Sequence, residues 1–194
     1  MADDQWPRYE IGPQKHIHAL GVVSLNYNLF EGALWLIFER YLGIDGPWFY
    51  ERLNNSDRVA AMQQILHREA NPNIQKMIIH LAKYFAVCTE NRNNLMHAQH
   101  NFGARVAEHL IVNKKSNKNE PLTFSIRLDT LRQIADEIHA GTIFLVGIDK
   151  YLSSRAIHSD PETTNAVRES NPYREPPALP RMPKKLRPLG PLRT

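Results

Sequence analysis

The chain has 194 residues, 42% of them apolar, a single cysteine and a formal net charge of +4. That length suits one domain able to bury its own core, and the lone Cys88 excludes an intrachain disulfide framework and fits a reducing cytosol. Residues 171–194 carry a net +5 and the remainder a net −1, so a strong nucleic-acid footprint on the body is not indicated.

Residues 1–13 contain Pro7, Gly12 and Pro13 and little periodicity, and read as an extended N-terminal arm. The start, Met1-Ala2-Asp3-Asp4, is acidic, the opposite of the basic opening of a signal peptide. The chain lacks a run of about 18 uncharged apolar residues. A cytoplasmic protein with no membrane association is therefore expected.

A long helix is predicted from roughly Lys15 to Leu42. Ile17, Leu20, Val23, Tyr27, Phe30, Leu34, Ile37, Phe38 and Tyr41 recur there at steps of three and four. Gly43 and Gly46-Pro47 stop it, and Trp48, Phe49 and Tyr50 dock as a loop. Ser56 or Asp57 caps a second helix to about Ala70, which Asn71-Pro72 breaks. A third helix spans about Asn73 to Cys88. Thr89 or Asn91 then caps a short fourth helix that begins near Arg92 and fades between Gln99 and Gly103.

The period changes next. Ala104–Val112 and Leu122–Arg127 are β-like and flank a turn-rich stretch from Lys114 to Pro121, which predicts a hairpin over about 104–127. Asp129 or Thr130 caps a fifth helix to about Ser153, with Leu131, Ile134, Ile138, Ile143, Leu145 and Ile148 on its apolar surface. Residues 156–194 read as a Pro-rich, basic, disordered tail. Its last 24 positions hold seven prolines, which exclude a regular helix or an interior strand, and too few apolar residues to offset the cost of ordering. The fold class is mainly all-α: a four- to five-helix bundle, about residues 14–155, with a small β-hairpin insertion.

The stretch Glu90-Asn91-Arg92-Asn93-Asn94-Leu95-Met96-His97 is the most informative. Leu95 and Met96 can anchor in a core while Arg92, Asn93 and His97 project elsewhere. Asn93 and His97, four apart, share a helix face. Arg92 and His97, five apart, stand about 140° around an ideal helix, so spacing alone does not bring them together. Taken singly, Arg92 and Asn93 read as solvated and His97 as an ordinary satisfied histidine.

An Arg, a polar residue and a His after four intervening positions, late in an α-bundle, resembles the signature of the HEPN superfamily. The resemblance covers the bundle and leaves the tail outside. It implies a metal-independent endoribonuclease working as a homodimer, with both Arg/His pairs lining one composite cleft. In that reading His97 acts as general base or acid at the ribose 2′-OH or the leaving oxygen. Arg92 holds the scissile phosphate through its fork of donors, and Asn93 orients His97 or binds the same phosphate. RNA or a nucleotide is the implied ligand, in a stress, defence or toxin role with an antitoxin or regulatory protein as partner. The alternative within the same fold is a non-catalytic nucleotide-binding, RNA-binding or protein-interaction module.

No cofactor is indicated. His97 and His100, three apart, with His80, His109 and Glu90 as imagined further ligands, lack the spacing of a known metal motif, so no metal is expected. His16 and His18 do not share a helix face and read as surface residues. The tail's Pro-x-x-Pro spacings fit polyproline II ligands, but solubilisation and loose attraction of RNA are the plainer reading.

Overall fold

The computed structural model of the chain describes residues 13–97, 99–101, 109–115, 121–159 and 172–189. The predicted N-terminal arm lies almost wholly outside them.

The first predicted helix forms as two, α1 (Gln14–Ala33) and α2 (Trp35–Leu42). At Leu34 the bonding tightens to i→i+3 steps, Leu34 N–H to Glu31 and Ile37 N–H to Leu34. Val23, Tyr27, Phe30, Leu34, Ile37 and Phe38 of the apolar stripe are buried. His16 extends the same stripe at spacings of three, seven and eleven to Ala19, Val23 and Tyr27 and is also buried, contrary to its reading as a surface residue. The stretch Gln14–Glu51 is long and apolar enough, by length and composition alone, to cross a membrane. Here its stripe faces the bundle interior.

Gly43, at φ 72°, ends α2 in a conformation suited to glycine. The aromatic run that follows forms a short helix, α3 (Gly46–Glu51), with Pro47 in its first turn. Gly46 is forced by proximity, because an added methyl would collide with the Phe38 carbonyl oxygen. Tyr50 is buried and packs on Phe38 at 5.2 Å between ring centres.

α4 (Asn55–Ile65) is capped by Asn54, whose Oδ1 accepts from the Asp57 amide at 3.0 Å. The predicted caps, Ser56 and Asp57, lie inside the helix.

The third and fourth predicted helices are one, α5 (Pro72–Met96), 25 residues long. Asn71 caps it and Pro72 takes the first helical position. The polar residues expected to start a new helix are engaged elsewhere. Thr89 Oγ1 bonds the Tyr27 hydroxyl, and the Asn91 side chain bonds residues 184 and 186. With no side chain competing for the backbone, the helix runs on.

A sheet of order β1-β2-β3 follows, built from β1 (Gln99–Asn101), β2 (His109–Lys115) and β3 (Pro121–Arg127). The β2–β3 pair is the expected antiparallel hairpin, shifted so that Lys114 and Lys115 belong to a strand rather than to the turn. Leu110, Val112, Phe124 and Ile126 alternate inward and close the core. α6 (Leu128–Ser159) starts directly from β3 and runs past the predicted end at Ser153. Gly141 lets it approach α1 and α5, since a methyl there would meet the Phe30 and Tyr84 rings at 2.8 Å. Ile143, expected on the apolar surface, is 60% exposed.

Residues 172–189 form no helix or strand, as the prolines require. They are nonetheless laid along the body, where disorder was expected. Pro183 is buried, Leu186 packs against the core, and Leu189 N–H donates to the Thr123 carbonyl at 2.7 Å. The ordering comes from long-range hydrogen bonds that apolar content does not register.

Candidate functional site

The Arg92–His97 segment closes α5 instead of opening a helix. The Asn93 carbonyl accepts the His97 N–H at 3.2 Å, and His97 itself has left helical geometry at φ −105°, ψ 24°. A helix C-terminus carries roughly half a negative charge, which favours cations there and works against an anion.

Departure from the helix brings together what ideal spacing keeps apart. Arg92 Nη1 lies 2.8 Å from His97 Nε2. A guanidinium has no acceptor, so in this arrangement Nε2 accepts and the ring proton sits on Nδ1. His97 is exposed and Arg92 half-buried. The same Nη1 donates to Asn93 Oδ1 at 3.2 Å. Asn93 therefore steadies Arg92 with its side chain and His97 with its backbone carbonyl.

Arg92 is backed by an aromatic ring, its Cζ 5.4 Å from the centre of Tyr27. Its Nε is buried with no hydrogen-bond partner, a desolvated donor that costs about 1–3 kcal/mol. Arg92 is in none of the ion pairs among the described residues.

A polar chain supports Tyr27. Its hydroxyl meets Thr89 Oγ1 at 2.8 Å and accepts from Asn55 Nδ2 at 2.8 Å. Asn55 Oδ1 accepts from Arg58 at 2.8 Å, and Arg58 ion-pairs with Glu31. Three helices, α1, α4 and α5, are thereby tied beneath the motif. Burial pushes the Tyr27 phenol up to about 12, against the lowering effect of the Thr89 hydrogen bond, so Tyr27 is a neutral support.

A second cation comes from the sheet. Lys114 Nζ donates to Oδ1 of the buried Asn94 at 2.9 Å. Sequence reasoning missed Lys114, Asn94, Tyr27, Thr89 and Asn55 as parts of this site. Tyr27 and the asparagines carry no local signal, and Lys114 was hidden in a stretch read as a turn.

Among the described residues, three or more His, Cys, Asp or Glu do not converge on a metal-sized site. The His100 and His109 side chains lie outside those residues. A groove of about 820 Å³ between α2–α3 and α4, lined by Phe38, Leu42, Trp48, Phe49, Ile65 and Arg68, includes none of the motif residues. No family model, curated protein or solved structure matches the chain.

Proposed function

We propose that this chain is a HEPN-like, metal-independent endoribonuclease that works as a homodimer. The reading rests on one observation: an exposed His97 with its Nε2 held 2.8 Å from the guanidinium of Arg92. An RNA phosphate entering here draws Arg92 onto its oxygens, for which the planar fork is shaped. Nε2 is then free to take the proton of the ribose 2′-OH. The 2′-oxygen attacks phosphorus, the bond to the 5′-oxygen breaks, and that oxygen takes a proton from a second copy's His97 that enters the step as imidazolium, so one imidazole gains a proton as the other loses one. Arg92 and Lys114 offset the negative helix end as charge builds on the phosphate.

The exposed leucines of α1, Leu25 and Leu29, are two residues either side of Tyr27 and so on the opposite face of the helix. A dimer built on them keeps the two motifs apart. The pairing this function needs forms around His97 itself. An antitoxin or regulatory protein, in a stress, defence or toxin setting, belongs to the same proposal.

The test is cleavage of a fluorescent mixed-sequence RNA in EDTA by wild type beside His97→Ala. Cleavage by the wild type alone is the expected result. Cleavage by neither protein at high concentration sinks the nuclease reading.

One observation favours a second reading, a non-catalytic nucleotide-binding, RNA-binding or protein-interaction module of the same fold. Arg92 already occupies the Nε2 acceptor that a base requires free. Stabilisation of the protein by mononucleotides or short RNA without cleavage would select this reading.

A further inference from the structure

We propose that α5, α6 and β3 form a peptide groove that recognises an extended Pro-x-Lys-Leu segment of a partner protein, and that the chain's own C-terminal segment is its resident competitor. The inference is independent of the nuclease reading.

The grip is that of a peptide receptor. Asn91, 1% exposed, spends its whole side-chain amide on the segment. Its Nδ2 donates to the Lys184 carbonyl at 2.8 Å, and its Oδ1 accepts the Leu186 N–H at 2.9 Å. These groups flank Lys185, so one side chain supplies what a peptide group of a neighbouring strand would supply. Glu137 Oε2 accepts the Lys184 N–H at 3.2 Å, and the Thr123 carbonyl accepts the Leu189 N–H at 2.7 Å. Main-chain bonds of this kind hold any extended segment, whatever its side chains.

Sequence is read at three positions. Pro183 is the one buried residue of 172–189. Lys185 Nζ pairs with Glu90 at 2.8 Å, and Leu186 packs on the core. Lys184 and Lys185 are both exposed, and of the two only Lys185 makes a side-chain ion pair among the described residues. Upstream, Gly147 leaves room for Pro177, whose Cβ would lie 3.1 Å from an added methyl.

The segment itself is built like a ligand. It has one buried anchor, no secondary structure, and Leu179, Met182 and Leu189 at 37%, 36% and 54% exposure. An element of the core buries a continuous face, whereas this segment touches down at a few points. Prolines hold it extended in advance, which lowers the ordering cost of binding. Tethering gives it an effective concentration on the order of millimolar, so a partner peptide must bind well or arrive on a protein with further contacts.

The experiment uses the full chain carrying Pro183→Ser and Leu186→Ser, which strips the resident segment of its anchors and leaves the groove intact. The probe is a fluorescein-labelled peptide of residues 179–189, read by anisotropy. The double variant is expected to bind it at least about tenfold more tightly than wild type, whose groove is occupied. Binding should vanish when Asn91→Ala is added, or when the peptide carries the two serines. A folded double variant that does not bind overturns the proposal. So does a wild-type dimer that forms with concentration and is abolished by the two serines, because the segment then serves exchange between copies. Should the double variant fail to fold, hydrogen exchange on wild type decides. Lys184, Leu186 and Leu189 amides exchanging at least about tenfold faster than Leu145 and Ile148 support a dissociable ligand. Equal rates make the segment part of the core and overturn it.

Discussion

The guanidinium of Arg92, at the end of α5, rests over the ring of Tyr27 in the middle of α1, 5.4 Å from its centre. The ring gives the arginine a floor, and the phenol's two hydrogen bonds fix the floor to α4 and α5. Tyr27→Phe keeps the floor and removes its fixings, leaving Asn55 Nδ2 and Thr89 Oγ1 to find other partners. A loss of about 1–3 kcal/mol in urea unfolding is expected, with RNA cleavage or nucleotide binding largely retained. A change in stability too small to measure would mean that the network beneath the motif is ornamental.

Arg92→Lys separates charge from shape. The ammonium keeps the positive charge but cannot bridge two phosphate oxygens in one plane. If the chain cleaves RNA, turnover should fall by about 10²–10³, while the melting temperature stays near wild type. Equal activity in the lysine variant would show that Arg92 contributes only charge.

Two glycines should respond in opposite directions to the same change. Gly46→Ala drives a methyl into the Phe38 carbonyl and should cost about 1–3 kcal/mol or more, the range for overpacking. Gly21 lies within α1 with nothing within 4 Å of an added methyl, so Gly21→Ala should stabilise by about 0.5–1 kcal/mol. Chemical denaturation of both variants beside wild type reads the contrast directly.

Stability should fall in alkali. Burial holds the Tyr27 phenol at about 12 against its usual 10, and it raises Tyr41, Tyr50 and Tyr84 further. In the unfolded chain these phenols ionise from about pH 10, so above that the unfolded state binds fewer protons than the folded one. The stabilisation is complete below pH 10 and drains away as pH rises toward 12. Urea titrations at pH 8 and pH 10.5 should show the decline. A flat profile would mean the phenols are wetter than their burial implies.

Cys88 is 1% exposed, and burial, with Glu137 adding to it, lifts its thiol far above the usual range. A thiol reagent at pH 8 should leave native protein untouched and modify one cysteine per chain in denaturant. Rapid modification of the native protein would reveal an opening of α5.

The sequence carried the helical stripes, the hairpin and the presence of a motif, because these are written in local periodicity. It misplaced what depends on distant partners. Thr89 and Asn91 look like caps in isolation. Their side chains answer instead to Tyr27, 62 residues away, and to Lys184 and Leu186, 93 and 95 residues away. The merging of two helices into α5, the motif's place at a helix end and the seating of residues 172–189 all turn on those bonds. His97 reached Arg92 for a related reason: an ideal helix keeps them apart, and only the release of the last turn joins them. Lys114 was hidden by its neighbours, since a lysine in a polar, turn-prone stretch gives no sign of bonding an asparagine in another element.

β3 lies at an open margin of the sheet, bonded to β2 on one side only. On its other side Leu189 donates to Thr123, so this carbonyl of the margin is already engaged and is withheld from strands of other molecules. Chains shortened before residue 172 would expose it. Such chains should be more prone to self-association through β-pairing, and less soluble for a reason unrelated to the basic residues lost with the segment.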